Sequence, residues 1–199
     1  MTPAEGGPDV PAGSGGPWGR RETGFETFDR LWTPHRMAYI TDAGPRDEGC
    51  PFCVMQGRSD EDTLIVARGE HVYAVLNLHP YNPGHLMVVT NRHVGAFEDL
   101  TDDEAHELTA MTQQAVRVLK HVSGPAAFNV GLNLGAVAGG SLSDHLHQHL
   151  VPRWLGDSNY ITVTGSTKVV PQLLAETRDL LAKAWSDVGP QSARPVEES

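Results

Sequence analysis

Three histidines at alternating positions constrain the fold of this chain more than any other feature. His145, His147 and His149 alternate with Leu and Gln within residues 144–151. Because a β-strand points every second side chain to the same face, the segment 145–151 is predicted to be a strand with three imidazoles on one face. At about 3.3 Å per residue the outer two lie about 13 Å apart at the backbone, too far for one metal ion without bending the strand. Such a row suits a reaction extended along the strand, and the alternative is a polar face without chemistry.

Apolar alternation and turn signals predict the rest of a sheet. Asn82-Pro83-Gly84-His85 carries proline and glycine at the central positions of a type II turn, which predicts a hairpin. Residues 128–134 alternate apolar side chains with Asn and Gly, as a half-buried strand does. The predicted strands other than 145–151 are 64–66, 71–78, 86–90, 128–134 and 159–164.

Two helices are predicted among these strands. Thr101 and Glu104 form a capping-box pattern, and apolar residues recur at helical spacing from there until Gly124-Pro125 ends the helix. A second amphipathic helix is predicted over residues 171–185. A long helix flanked by strands with hairpin signals indicates an α+β fold with a mainly antiparallel sheet.

Composition limits the organisation, compartment and partners of the chain. Six Gly and four Pro in the first twenty residues, without an apolar block, predict a disordered arm over 1–27 that is neither a signal nor a transit peptide. A single domain over 28–186 and a disordered tail over 187–199 are expected to follow. Two cysteines exclude a disulfide framework, and cytoplasmic localisation is expected.

The net charge and hydropathy exclude two classes of partner. The formal net charge is −10, which gives no broad attraction for nucleic acid or for anionic lipid. No apolar run approaches the roughly 18 to 20 residues of a membrane span. We therefore expect neither nucleic acid nor membrane as a partner, and an anionic ligand must be bound by a local, shaped site.

A glycine-rich loop and a cysteine pair are the remaining candidate features. Residues 135–143 can supply backbone N–H groups and a hydroxyl to phosphoryl oxygens, although no Gly-Lys-Ser/Thr follows as in a Walker loop, and a flexible connector is the alternative. Cys50 and Cys53 form a C-x-x-C motif, which alone is compatible with a metal site or a redox pair. No parallel βαβ unit surrounds the pair, which disfavours the redox interpretation.

The motifs, in their order along the chain, resemble those of the histidine triad (HIT) family. The pattern His145-Leu-His147-Gln-His149-Leu-Val matches the triad motif except that Gln148 replaces an apolar residue. The similarity covers residues 50 to 155 and includes Cys50-Pro-Phe-Cys53, Asn77, Pro83-Gly84-His85, Asn-Arg-His93 and the segment 128–133. Flanking segments around 30–39, 152–154 and 160–185 resemble the actinobacterial branch that contains diadenosine tetraphosphate phosphorylases.

The resemblance implies a HIT-like fold with a sheet of about five strands, one long central helix and a C-terminal helix. It implies nucleotidyl transfer on dinucleoside polyphosphates through a covalent AMP–histidine, with phosphorolysis of diadenosine tetraphosphate to ADP and ATP as the leading hypothesis. A hydrolase or nucleoside phosphoramidase that uses water is the nearest alternative. A non-catalytic, zinc-stabilised nucleotide-binding module is a further one.

The resemblance also implies roles for individual residues. His147 is the expected nucleophile, His149 the group that assists the leaving nucleotide, and His85 a catalytic neighbour. The expected substrate-binding residues are Asn77, Asn133, Gly140, Ser141 and Trp154. Alternatively, Asn77 forms an Asx-turn, Trp154 is a core residue and His85 a surface residue. The expected structural zinc ligands are Cys50, Cys53, His93 and His145. The expected partners are a nucleotide and orthophosphate, and the expected assembly is a homodimer or homotetramer.

Overall fold

A computed structural model of the chain describes residues 49–138, 142–157 and 172–189. The predicted arm over 1–27, the domain start at 28 and the strand over 159–164 lie outside these residues, as does the predicted tail beyond 189. Gly140 and Ser141 also lie outside them.

The described residues form one five-stranded sheet in the order β1-β2-β3-β5-β4, and every neighbouring pair is antiparallel. The strands are β1 (Ile65–Arg68), β2 (Val72–Leu76), β3 (Leu86–Thr90), β4 (Ala127–Leu132) and β5 (His147–Arg153). This confirms the predicted α+β fold with an antiparallel sheet of about five strands. β5 begins two residues later than predicted, so His145 precedes the strand, because its side chain turns away to a cysteine and histidine cluster.

The helices are α1 (Pro51–Met55), α2 (Asp60–Thr63), α3 (Asp102–Ser123) and α4 (Leu174–Asp187). The capping box at the start of α3 is formed in both directions, and Gly124 ends the helix with a φ of 55°. The long central helix and the C-terminal helix were predicted, the latter three residues early at its start. The sequence patterns did not predict the two short helices α1 and α2.

The two faces of the sheet carry different hydrophobic clusters. Side chains such as Leu86 and Leu150 pack against α3 and α4 through Leu119 and Leu181. On the opposite face Tyr73, Val75 and Val89 pack with Phe52 of α1 and with Ile65. Burying a side chain of this size contributes about 1.5–3 kcal/mol as an upper value. The sheet is thereby fixed from both sides, which gives β5 a rigid position.

Gln148 lies on the helix-facing side of β5, where the triad pattern usually has an apolar residue. Its side-chain amide donates to the Thr112 hydroxyl of α3 over 3.0 Å. This hydrogen bond satisfies the polar group, since an unpaired buried amide destabilises a protein. The alternation that puts Gln148 on this face puts His147 and His149 on the other.

Strand β4 departs from the prediction of a half-buried strand. Val130 is 49% exposed and Leu134 is 50% exposed. The physical reason is that β4 is an edge strand, hydrogen-bonded to β5 alone among the described strands. Alternation along a sequence predicts which side chains share a face, but not whether that face is covered.

No helix in the described part of the chain is long and apolar enough to cross a lipid bilayer.

Candidate active site and metal site

The four predicted metal ligands converge at the start of β5. The ligand atoms of Cys50, Cys53, His93 and His145 all lie within 4.8 Å of one another. Cys50 and Cys53 flank the start of α1, His93 follows β3, and His145 precedes β5. A backbone hydrogen bond from Leu146 N–H to the Val94 carbonyl, 2.7 Å long, keeps the last two segments together.

The distances within this cluster fit a tetrahedral metal ion. The Nδ1 atoms of His93 and His145 are 3.3 Å apart, and the Cys53 sulfur lies 3.5 Å from each of them. Tetrahedral zinc sites with ordinary bond lengths have ligand-to-ligand edges of about 3.3 Å between nitrogens and about 3.5 Å between nitrogen and sulfur. Four ligands of this chemistry can therefore bind a metal ion with no coordination position left for water.

Neighbouring groups orient the ligands of this cluster. His145 Nε2 donates to the Thr90 carbonyl over 2.7 Å, which leaves the lone pair of Nδ1 directed to the metal position. The Gln56 amide donates to the Phe52 and Asn91 carbonyls and so ties α1 to the loop that carries His93. These contacts are typical of the second layer around a structural metal site.

The backbone of its neighbour fixes the tautomer of His147. Its Nδ1 lies 2.8 Å from the His145 carbonyl oxygen, which can only accept, so Nδ1 carries the proton and Nε2 the lone pair. The ring packs against buried Phe52 with centroids 5.1 Å apart. Burial lowers the pKa of His147, opposed in part by the hydrogen bond to the His145 carbonyl. The imidazole is thus neutral at pH 7, as nucleophilic attack requires.

His85 and His149 form a hydrogen-bonded pair beside His147. The Tyr81 N–H donates to His85 Nδ1 over 3.1 Å, so the His85 proton is on Nε2. That Nε2 lies 3.0 Å from His149 Nδ1 and donates to it. The proton of His149 is consequently on Nε2, and its ring centroid lies 5.0 Å from that of His147.

His85 is held neutral in this pair. Burial, followed by the nearby His149 and His147, lowers the pKa of His85 to about 3. The residue is completely buried, so the alternative of a surface histidine at the end of the turn is wrong. The turn that carries it is formed as predicted, because Gly84 has a φ of 72° and the His85 N–H donates to the Asn82 carbonyl over 3.1 Å.

The predicted substrate-binding residues lie in different surroundings. Asn77 follows β2, where its Oδ1 accepts from the His79 N–H over 2.9 Å in an Asx-type turn, and its Nδ2 is 3.5 Å from His85 Nδ1. Asn133 follows β4 and lines a groove that also contains His149. Trp154 lies instead beside a separate cavity of about 310 Å³, with Leu119 and Leu181 among its lining residues. Its indole N–H donates to the Ser123 carbonyl over 3.3 Å.

Two features of the site were missed by the sequence analysis. Tyr81 supplies the N–H that fixes the His85 tautomer, and its ring packs 4.8 Å from that of His85. Arg153 pairs with Asp157 over 2.6 Å and lines the same groove as His149. For Tyr81 the sequence offered one signal, an aromatic residue next to the Asn-Pro-Gly turn. The hydrogen bond to His85 depends on the path of the loop and could not be predicted.

Comparisons with known proteins show which family and which relatives the chain resembles. The HIT domain family model matches residues 58–154. The chain is 58% identical over 168 residues to a Mycobacterium tuberculosis protein named AP-4-A phosphorylase, covering 81% of this chain and 86% of that protein. It is 34% identical over 84 residues to the Schizosaccharomyces pombe bis(5'-nucleosyl)-tetraphosphatase (asymmetrical), covering 42% of this chain and 46% of that protein.

A solved structure shares the fold. The zinc-bound histidine triad family protein from Mycobacterium smegmatis aligns with a TM-score of 0.58 at 22% identity, covering 70% of this chain and 95% of that one. The extent of the identity to the Mycobacterium tuberculosis protein, together with the family match over the histidine strand, establishes that the chain belongs to the HIT domain family.

Proposed function

We propose that the chain is an enzyme that cleaves dinucleoside polyphosphates, most directly diadenosine tetraphosphate with orthophosphate, to give ADP and ATP. The observation that carries this proposal is the His147 Nδ1 hydrogen bond to the His145 carbonyl, which leaves a lone pair on Nε2 of a neutral imidazole. The relative named AP-4-A phosphorylase, 58% identical, supports the choice of substrate.

In the first step His147 Nε2 attacks the α-phosphorus of one adenylyl group. The bond from that phosphorus to the bridging oxygen breaks, and its electron pair goes to the departing ATP. The Nε2–H of His149 donates a hydrogen bond to the bridging oxygen and stabilises the negative charge that develops there as ATP departs. The imidazole becomes cationic when AMP is attached, and the His145 carbonyl, 2.8 Å from Nδ1, stabilises that charge.

In the second step orthophosphate takes the place of the departed ATP. One of its oxygens attacks the phosphorus of the AMP–His147 adduct, the phosphorus–nitrogen bond breaks, and the electron pair returns to Nε2. His149 keeps its Nε2 proton throughout and donates a hydrogen bond to an oxygen of the attacking phosphate. The products are ADP and an enzyme in its original protonation state.

Cys50, Cys53, His93 and His145 are proposed to hold a structural zinc ion. Two thiolates and two imidazole nitrogens at these separations suit zinc better than a harder cation. When bound, the ion supplies no catalytic chemistry, because its coordination is completed by the protein. It fixes His145, whose carbonyl orients the nucleophile.

Product analysis with and without phosphate tests the reaction. We expect ADP and ATP in equal amounts from diadenosine tetraphosphate when orthophosphate is present, and slow turnover when it is omitted. Equal AMP release at zero phosphate, with no ADP on adding phosphate, would support the hydrolase that the tetraphosphatase relative suggests. Absence of turnover with any dinucleoside polyphosphate would support a binding module.

A homodimer or homotetramer is proposed as the active assembly. The exposed apolar side chains at edge strand β4, including Val130, support an association of copies there. Light scattering coupled to gel filtration measures the assembly, and a concentration-independent monomer would contradict it. A Val130→Lys variant is expected to shift the population towards monomer.

A further inference from the structure

A groove of about 430 Å³ begins at His149, and the proposed reaction steps place no part of the substrate in it. It is formed by β4, β5 and the loop after β2, and its lining includes Tyr81, Gly131, Asn133, His149 and Arg153. The volume falls within the range of about 300–1,000 Å³ in which proteins bind small molecules. The groove is large enough for one nucleoside.

The direction of the groove matches the direction in which the leaving nucleotide departs. His149, Val151 and Arg153 share one face of β5, so the groove continues from His149 away from His147. Gly131 pairs with His149 across the β4–β5 ladder, and a Cβ there would meet no atom of the described residues within 4 Å, so these residues leave this side of the groove open. A nucleotide whose bridging oxygen accepts a hydrogen bond from His149 Nε2 therefore has its remainder at the groove.

Tyr81 presents an aromatic ring at this position. Its ring is stacked with that of His149 at an interplanar angle of 26° and a centroid distance of 6.1 Å, yet 46% of the residue is exposed. Its backbone N–H donates to His85 and its ring packs 4.8 Å from the His85 ring, so the ring has a preorganised position. A base stacked on it would lie about 10 Å from the His149 ring, a length that the polyphosphate of a departing nucleotide can bridge.

The charges of the groove favour a nucleoside over a polyphosphate. Arg153 is paired with both carboxylate oxygens of Asp157, at 2.6 and 3.0 Å, and donates to the Asn129 side chain over 2.8 Å. Its positive charge is therefore already compensated. The amide of Asn133 and the Tyr81 ring are suited to an uncharged base and ribose.

We propose that this groove binds the nucleoside of the departing nucleotide, with Tyr81 as the stacking platform for its base. The inference rests on the proposed function and deepens it, because it predicts that a substrate with a nucleoside at both ends is preferred to one with a nucleoside at one end. Stacking of a base on an aromatic side chain contributes about 1–3 kcal/mol, which corresponds to about a 5- to 150-fold change in kcat/KM.

Two substrates that differ by the second nucleoside test the proposal. Diadenosine tetraphosphate and adenosine 5′-tetraphosphate offer the same adenylyl group to His147, but only the first brings a nucleoside to the groove. The wild type is expected to prefer the first by at least about tenfold in kcat/KM. Tyr81→Ala is expected to reduce that preference by at least about fivefold, whereas Tyr81→Phe retains it.

Controls separate this proposal from the function on which it rests. Phe97→Ala removes an aromatic side chain of similar exposure, 43%, outside the groove and should leave the preference unchanged. An equal loss of both activities in Tyr81→Ala, or no preference in the wild type, overturns the groove proposal but leaves the proposed function intact. No turnover of either substrate by a folded wild type in the presence of orthophosphate overturns the proposed function and, with it, the groove proposal.

Discussion

The two ends of the row His145, His147 and His149 are built from the same residue type but have opposite surroundings. At one end His145 lies among Cys50, Cys53 and His93, and its Nε2 is engaged by the Thr90 carbonyl. At the other end His149 accepts from His85 and lies at the edge of a groove. The first end is closed by protein ligands, and the second is open to a substrate.

The role available to each imidazole depends on which of its two ring nitrogens is hydrogen-bonded to a backbone carbonyl. His145 has Nδ1 available to a metal, because Nε2 donates to a carbonyl. His147 has Nε2 available to phosphorus, because Nδ1 donates to the His145 carbonyl. In the proposed mechanism the closed end orients the nucleophile, and the open end assists the leaving group.

Replacement of His147 by Gln should give the largest change in turnover and should leave the metal site unaffected. We expect turnover to fall by at least about 10⁴-fold, equivalent to about 5.5 kcal/mol in the activation barrier, because the amide cannot form the adduct. Metal content and unfolding temperature should stay close to those of the wild type. Retention of more than a few per cent of the activity would contradict a nucleophilic role.

Removal of a metal ligand should destabilise the closed end. Cys53→Ser is expected to lower the free energy of unfolding by at least about 3 kcal/mol and to reduce bound zinc from about one equivalent, because metal binding and folding are coupled. Elemental analysis and chemical denaturation measure both quantities. His106→Gln, on the exposed surface of α3, is the matched control and should change neither. Full stability in a metal-free wild type would refute the metal site.

The open end should give the protein a specific acid sensitivity. His85 has a pKa of about 3 in the folded protein, against an ordinary value of 6.5, so the unfolded chain binds the proton more strongly. The contribution of neutral His85 to the free energy of unfolding is complete above about pH 6.5. It is lost as the pH falls towards 3, by up to about 1.4 kcal/mol per pH unit. Between pH 6.5 and 5 this amounts to about 2 kcal/mol.

Urea denaturation of the wild type and of His85→Gln across this pH range isolates the effect. The curve of the variant should be shallower, because the ligands at the closed end contribute equally to both proteins. Parallel curves for the two proteins would mean that His85 is not held neutral by the fold.

Removal of the side chain that caps α3 near His93 should have the smallest effect on the free energy of unfolding. Arg92, next to His93, donates to both carboxylate oxygens of Glu104, which also caps the helix with Thr101. Thr101→Ala should lower the free energy of unfolding by about 1 kcal/mol, the usual value of a capping side chain, without changing kcat. A lower kcat in Thr101→Ala, measured where the variant is fully folded, would show that the contacts of Glu104 also affect catalysis.

Local patterns in the sequence predicted much of this arrangement. The alternation around His147 and the capping box at Thr101 each depend on neighbours a few residues away, so they can be read without tertiary information. The family resemblance predicted that Cys50 and His145, 95 residues apart, would meet. The exposure of Val130 could not be predicted, because covering of a strand depends on its place in the sheet.

The proton positions of the site were also beyond the sequence. The tautomer of His85 depends on the Tyr81 N–H, which the irregular loop between β2 and β3 brings within 3.1 Å. No periodicity encodes such a loop path. The same loop places Tyr81 beside His149, and this is why the groove emerged only from the structure.

The covalent AMP–His147 intermediate can be detected by trapping it before orthophosphate is added. Wild-type protein mixed with diadenosine tetraphosphate without orthophosphate, quenched within the first turnovers at alkaline pH and digested, should carry one adenylyl group on the peptide that contains His147. Adding orthophosphate before the quench should discharge it as ADP. Turnover that proceeds with no adduct at any quench time, or with the adduct on His85 or His149 instead, would contradict the account.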